Sequence, residues 1–111
     1  MKLTDLTDEE TLALIVLAKA LAHSDGVVTN TEMVDLVSLG EVIGMERFDA
    51  ALQAAEPWLR DWDTVFSMAD RVERYDAREL IYALLEELAK GDGMEATEKN
   101  VLNELQRRWS Y

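Results

Sequence analysis

The chain has 111 residues, 49% of them hydrophobic, with a single proline, which is enough for one ordinary core and too apolar for a disordered segment. Twenty-three acidic residues against eleven basic ones give a formal charge of -12. That field repels nucleic-acid phosphates and anionic lipid, and it makes cations and basic protein surfaces the natural partners.

There is no cysteine, so a disulfide framework, a thiolate metal site and a thiol nucleophile are all excluded. The opening MKLTDLTDEE has no apolar stretch behind a basic one, and the longest unbroken apolar run, Leu12 to Ala18, is far short of a membrane span. A soluble, cytoplasmic protein with no membrane insertion is expected.

Thr7 and Glu10 have the spacing of a capping box, and Asp8 and Glu9 suit the positive end of a helix dipole. Leu12 to Ala22 then reads LALIVLAKALA, apolar nearly all round, as a helix surrounded by others would be. Gly26 is placed to end it. Thr29-Asn30-Thr31-Glu32 repeats the capping-box pattern, and Val34, Val37, Leu39, Val42 and Ile43 mark a second helix closed by Gly44. Gly40 inside it costs about 1 kcal/mol against alanine unless a neighbouring helix needs the close approach.

Phe48, Ala51, Leu52, Ala55 and Leu59 follow helical spacing, and Pro57 places the end of that third helix near Ala55 or restarts it with proline in a first turn. Asp61 or Asp63 caps a fourth helix with Val65, Phe66, Ala69 and Val72 inward. Asp76 with Glu79 caps a fifth, whose stripe is Leu80, Ile81, Leu84, Leu85 and Leu88. Val101, Leu102, Leu105 and Trp109 mark a sixth, with Arg107 and Arg108 at its negative end. No segment alternates as a strand would. The expected fold is all-α: one compact domain over residues 1–111, a bundle of about six helices with short loops.

Two stretches break this uniform pattern. AHSDGVVTNTE (Ala22 to Glu32) and AKGDGMEATE (Ala89 to Glu98) are both acidic-glycine turns between apolar helical segments. Aligning Asp25 with Asp92, 67 residues apart, pairs Leu21 with Leu88, Gly26 with Gly93 and Val34 with Val101. The chain thus holds two pseudo-repeated helix–turn–helix units. Glu32 follows Asp25 by seven positions, whereas Glu98 follows Asp92 by six and Lys99 takes the aligned place.

With its two turns and six helices, the chain resembles, over essentially its whole length, the tellurite-resistance-associated TerB family. Members carry an A-D-G-x-hydrophobic-x-x-x-E turn after the first core helix and a second such turn late in the chain. The motif residues here are Ser24-Asp25-Gly26-Val27-Val28 with Glu32, and Gly91-Asp92-Gly93 with Glu98. Ser24 and Gly91 stand where the family has alanine, and Glu98 is one place early. The resemblance implies an all-helical, non-enzymatic module of bacterial stress response and tellurite resistance, with a protein partner, whose acidic turns are suspected metal sites.

As chemistry, Asp25, Glu32, Asp92 and Glu98 are oxygen donors for a divalent cation, calcium or magnesium by preference, but two carboxylates per turn are too few for a site without backbone carbonyls, water or the other turn. The EF-hand frame fits poorly, because Leu21 and His23 would fill its first two ligand positions. Local backbone grammar also accounts for all four: glycine as helix stop, aspartate bonding nearby amides, glutamate closing a capping box. His23, the single histidine, is a further candidate ligand or a side chain simply exposed at a helix end.

Asp61, Asp63, Asp70, Glu73 and Asp76, interleaved with Arg71, Arg74 and Arg78, read as a salt-bridged, solvated helix face. Trp58 and Trp62 share a face if helical and are either core or a docking surface. Met33, Met45, Met68 and Met94 read as core filler. Two alternatives to a cation site follow: a metal-independent adaptor using its acidic face or its tryptophans, and a small carboxylate-dependent hydrolase. The hydrolase is the weakest, since neither a nucleophile triad nor a phosphate loop is present.

Overall fold

The computed structural model describes residues 2–22, 38–90 and 96–109, excepting the side chains of Ala22, Lys90 and residues 96–98. Six α-helices follow in order: α1 (Asp8–Ala22), α2 (described over 38–43), α3 (Met45–Ala55), α4 (Trp62–Ala69), α5 (Tyr75–Lys90) and α6 (Ala96–Trp109). Short 3-10 turns occupy Leu3–Asp5 and Glu56–Trp58, and no strand occurs among the described residues. The fold is an all-α bundle around one core.

That core is built on α1. Residues 13–18 are essentially sealed from solvent, and the helix packs against α3, α4 and α5. A helix with no polar face is stable only with neighbours on several sides, and these three supply them. Lys19, the one basic residue in its last turns, lays its stem along this apolar surface and reaches Glu56 at 2.6 Å. The start of α1 is fixed by the capping box: the Thr7 N–H donates to Glu10 Oε1 at 2.8 Å and the Glu10 N–H donates to Thr7 Oγ1 at 3.1 Å.

The other elements follow their local signals with informative exceptions. Proline ends α3 at Ala55 and sits in the first turn of the following 3-10 segment, so the two alternatives for Pro57 are both realised. Asp61, and not Asp63, caps α4: its Oδ1 accepts from the Thr64 N–H at 2.8 Å and from the Thr64 hydroxyl at 2.9 Å. Those bonds hold the Asp61 carboxyl below its ordinary value. Val72 is buried as expected, although it lies past the end of α4.

In α5 the helix begins at Tyr75, so Asp76 lies in the first turn and is not the cap. Its deepest residues are Ala77, Ile81, Leu85 and Ala89, with Leu80, Leu84 and Leu88 half-buried beside them. The sixth helix is as expected, with Val101, Leu102, Leu105 and Trp109 buried and the Trp109 Nε1–H donating to the Ala69 carbonyl at 3.0 Å.

Two expected core residues are at the surface. Val42 is 58% exposed and Met45 48%, because one residue, Gly44, separates α2 from α3 and turns both side chains outward at the corner. Gly44 has φ +107°, a conformation that side chains rarely adopt. Met68 is fully buried, as expected of a filler methionine, while Met33 and Met94 lie outside the described residues.

Gly40 justifies its place in α2. A Cβ there would lie 2.7 Å from Phe48 Cδ2, 2.9 Å from Phe48 Cγ and 3.1 Å from Met45 Sδ. The Phe48 ring is buried and has nowhere to retreat. Gly40→Ala is therefore expected to destabilise the protein by about 1–3 kcal/mol, despite gaining roughly 1 kcal/mol in helix propensity. Urea unfolding checks this; an unchanged or higher midpoint would contradict the close α2–α3 packing.

Candidate functional site

Of the four expected cation ligands, Asp25, Glu32 and Asp92 lie outside the described residues, as does His23. The backbone of Glu98 is described: it is the third residue of α6. Among the described residues no group of three or more histidine, aspartate or glutamate side chains is arranged to hold a metal ion.

What the structure does define is how the helices leading into the two turns are set. Glu10, on the first turn of α1, is only 5% exposed. Arg74, the residue before α5, donates its Nε–H to Glu10 Oε2 at 2.8 Å, and its second nitrogen bonds Glu10 Oε1 and, at 3.2 Å, the Asp5 carbonyl. A two-pronged guanidinium–carboxylate contact fixes both position and orientation. It ties the 3-10 turn, the start of α1 and the start of α5 into one clamp. The two helices are 15 and 16 residues long and pack on each other. Each then leads into an acidic-glycine turn.

The clamp sets the ionisation of its members. The Arg74 hydrogen bonds hold the Glu10 carboxyl below its ordinary value, with the Thr7 N–H adding to them, against the burial that pushes it up. Glu10 in turn raises Arg74.

Arg71 and Arg74, between α4 and α5, and Arg78, in α5, do not pair with the carboxylates of their own stretch, contrary to the salt-bridged face expected from sequence. Arg71 reaches Glu9 at 3.5 Å, Arg74 reaches Glu10, and Arg78 donates to the Val72 carbonyl at 2.6 Å. Asp70 meets Arg108 of α6 at 2.9 Å. The segment 70–74 is thus stapled to α1 on one side and α6 on the other. Sequence carried no signal of this, since Glu10 and Arg74 are 64 positions apart.

The two tryptophans do not share a helix face. Trp58 closes the 3-10 turn, half-buried beneath Arg71, whose guanidinium carbon lies 4.6 Å from the ring centroid. Trp62 opens α4 after an intervening bend, is 38% exposed and stacks at 5.8 Å on Phe66. Only Trp62 offers a surface. Beside it, Leu59, Arg60, Asp61 and Val65 line a shallow depression together with Ala20.

No helix among the described residues is long and apolar enough to cross a membrane. No protein-family model matches the chain, and no curated protein or solved structure matches it.

The clamp has a pH signature. The folded-state value of Glu10 lies below its unfolded one, so the stability it gives is present above the unfolded carboxylate range, about pH 4.3, and is lost as pH falls through the folded value. Glu10→Gln should lower the thermal midpoint by several degrees at pH 7, and the gap from the parent protein should narrow once pH drops below that range. Melting both proteins between pH 7 and pH 3 by circular dichroism checks this. A gap that does not change with pH would remove the charge from the explanation.

Proposed function

We propose that this protein is a non-enzymatic, TerB-like module that binds a divalent cation, calcium or magnesium by preference, through its two acidic-glycine turns, and that it serves bacterial stress response or tellurite resistance through a protein partner. The observation that carries this reading is the equivalence of the two helices that precede the turns. They have nearly equal length, pack together and start at one clamp. One turn offers two carboxylates, fewer than a hard cation takes, so two turns delivered from matched helices suit a shared site. The charge of -12 raises the local concentration of any cation near them.

Titration with calcium, magnesium, manganese and zinc, followed by amide NMR, tests it. The expected result is saturable shifts at Gly26 and Gly93, abolished in the double variant Asp25→Asn with Asp92→Asn. An absence of response at millimolar metal, or an undiminished one in the double variant, defeats the proposal.

A second reading is favoured by Trp62. An exposed tryptophan braced on Phe66 is the kind of rigid aromatic anchor found at the centre of protein interfaces. In this reading the chain is a metal-independent adaptor. Partner capture that persists in chelator and is lost in Trp62→Ala is the expected result; capture that disappears with chelator returns the argument to the acidic turns.

A further inference from the structure

A groove of about 440 Å³ lies between α1, α3 and α4, outside the acidic turns and the Trp62 surface. Its volume is within the range of small-molecule sites, roughly 300–1,000 Å³. Leu12, Ala51 and Met68 form its floor, and Ala50 and Ala54 leave one wall low, because alanine covers little of the helix it sits on.

Two features mark it as more than a gap in packing. Thr11 also lines it, is 1% exposed, and holds the one buried side-chain polar atom, among the described residues, without a hydrogen-bond partner. Native interiors rarely leave such a hydroxyl unsatisfied, so it calls for an occupant with a polar atom or a bound water. Secondly, Arg47 and Arg71 stand at the rim of this strongly acidic chain's groove. Arg47 is steadied by donating to the Leu6 carbonyl at 2.6 Å, and Arg71 by lying over the Trp58 ring. Their carboxylate partners, Asp8 at 3.2 Å and Glu9 at 3.5 Å, are solvent-exposed. Exposed pairs of that kind are weak and readily exchanged.

We propose that this groove binds an amphiphilic monocarboxylate, a medium-chain acid whose apolar tail lies along the alanine wall and whose carboxylate bridges Arg47 and Arg71. Guanidinium groups match a carboxylate in two-pronged geometry, and the apolar floor removes the tail from water. A single negative charge is the limit, because Asp8 and Glu9 share the rim and oppose a dianion or polyphosphate. The site does not depend on the cation-binding reading.

Decanoate below its micellar concentration, titrated into the isotope-labelled protein and followed by amide NMR, tests the proposal. Saturable shifts centred on Leu12, Ala50, Ala54 and Met68 are expected. Arg47→Gln and Arg71→Gln should each weaken binding roughly tenfold, the loss of one charged hydrogen-bonding partner. Ala54→Leu, a change at an exposed helical position that fills the groove, should abolish it, with Ala50→Leu as a second filling variant. Decanol should bind more weakly than decanoate, and acetate should not saturate. The proposal is overturned if no saturable shifts appear, if both filling variants fold and bind normally, or if decanol or acetate matches decanoate.

Discussion

The ion pair between Glu10 and Arg74 is the constraint on which the rest of the arrangement depends. A carboxylate sealed at the start of a helix is costly unless every lone pair is used, and here the Thr7 amide and the Arg74 guanidinium use them. The same guanidinium also holds the Asp5 carbonyl. The N-terminal 3-10 turn and the start of α1 therefore meet a residue more than sixty positions away at one charged knot, and α1 leaves it as an apolar rod. Everything that packs on α1 takes its register from where that knot sets the first turn.

Local chemistry was the part of the fold that could be read in advance. The all-round apolar run of α1, the Thr7–Glu10 box, the proline after α3 and the Asp61 cap depend on residues within four positions of each other, and each stands where its pattern placed it. Failures came where the path of the backbone at a corner or bend decides which way a side chain faces. Val42 and Met45 have apolar side chains at helical spacing, yet the one-residue corner at Gly44 turns them outward. Trp58 and Trp62 are four apart, yet a bend ahead of the Asp61 cap puts them on different elements. The acidic turns were legible as patterns, but two carboxylates on a turn do not encode where the second turn lies. The groove rim was not legible at all, because Arg47 and Arg71 come from different elements and nothing in either local sequence points to the other.

Charge is distributed unevenly between scaffold and surface. Six of the seven arginines are engaged with carboxylates or backbone carbonyls, and two of them also lie over aromatic rings. Arg108 alone touches Asp70, Glu104 and the Phe66 ring, joining α6 to the end of α4. The planar guanidinium suits such multiple contacts better than a lysine ammonium would. With most of the arginines taken up in such contacts, the acidic surplus is left to set the outward field, which is what attracts counter-ions or basic partners.

The position of α1 in the chain has a consequence for biogenesis. It is the earliest of the six helices and has the longest sealed run, residues 13–18, yet the surfaces that cover it come from α3, α4 and α5, the last of which ends at Lys90. A ribosome adding about 5–20 residues per second needs several seconds to deliver those partners after Ala22 has been joined. Until α3 emerges the rod has none of those surfaces to bury itself against, and its cover is complete only once α5 has been made. Nascent-chain exposure of LALIVLAKALA, rather than any weakness of the finished bundle, is therefore the point at which chaperone capture or aggregation competes with folding.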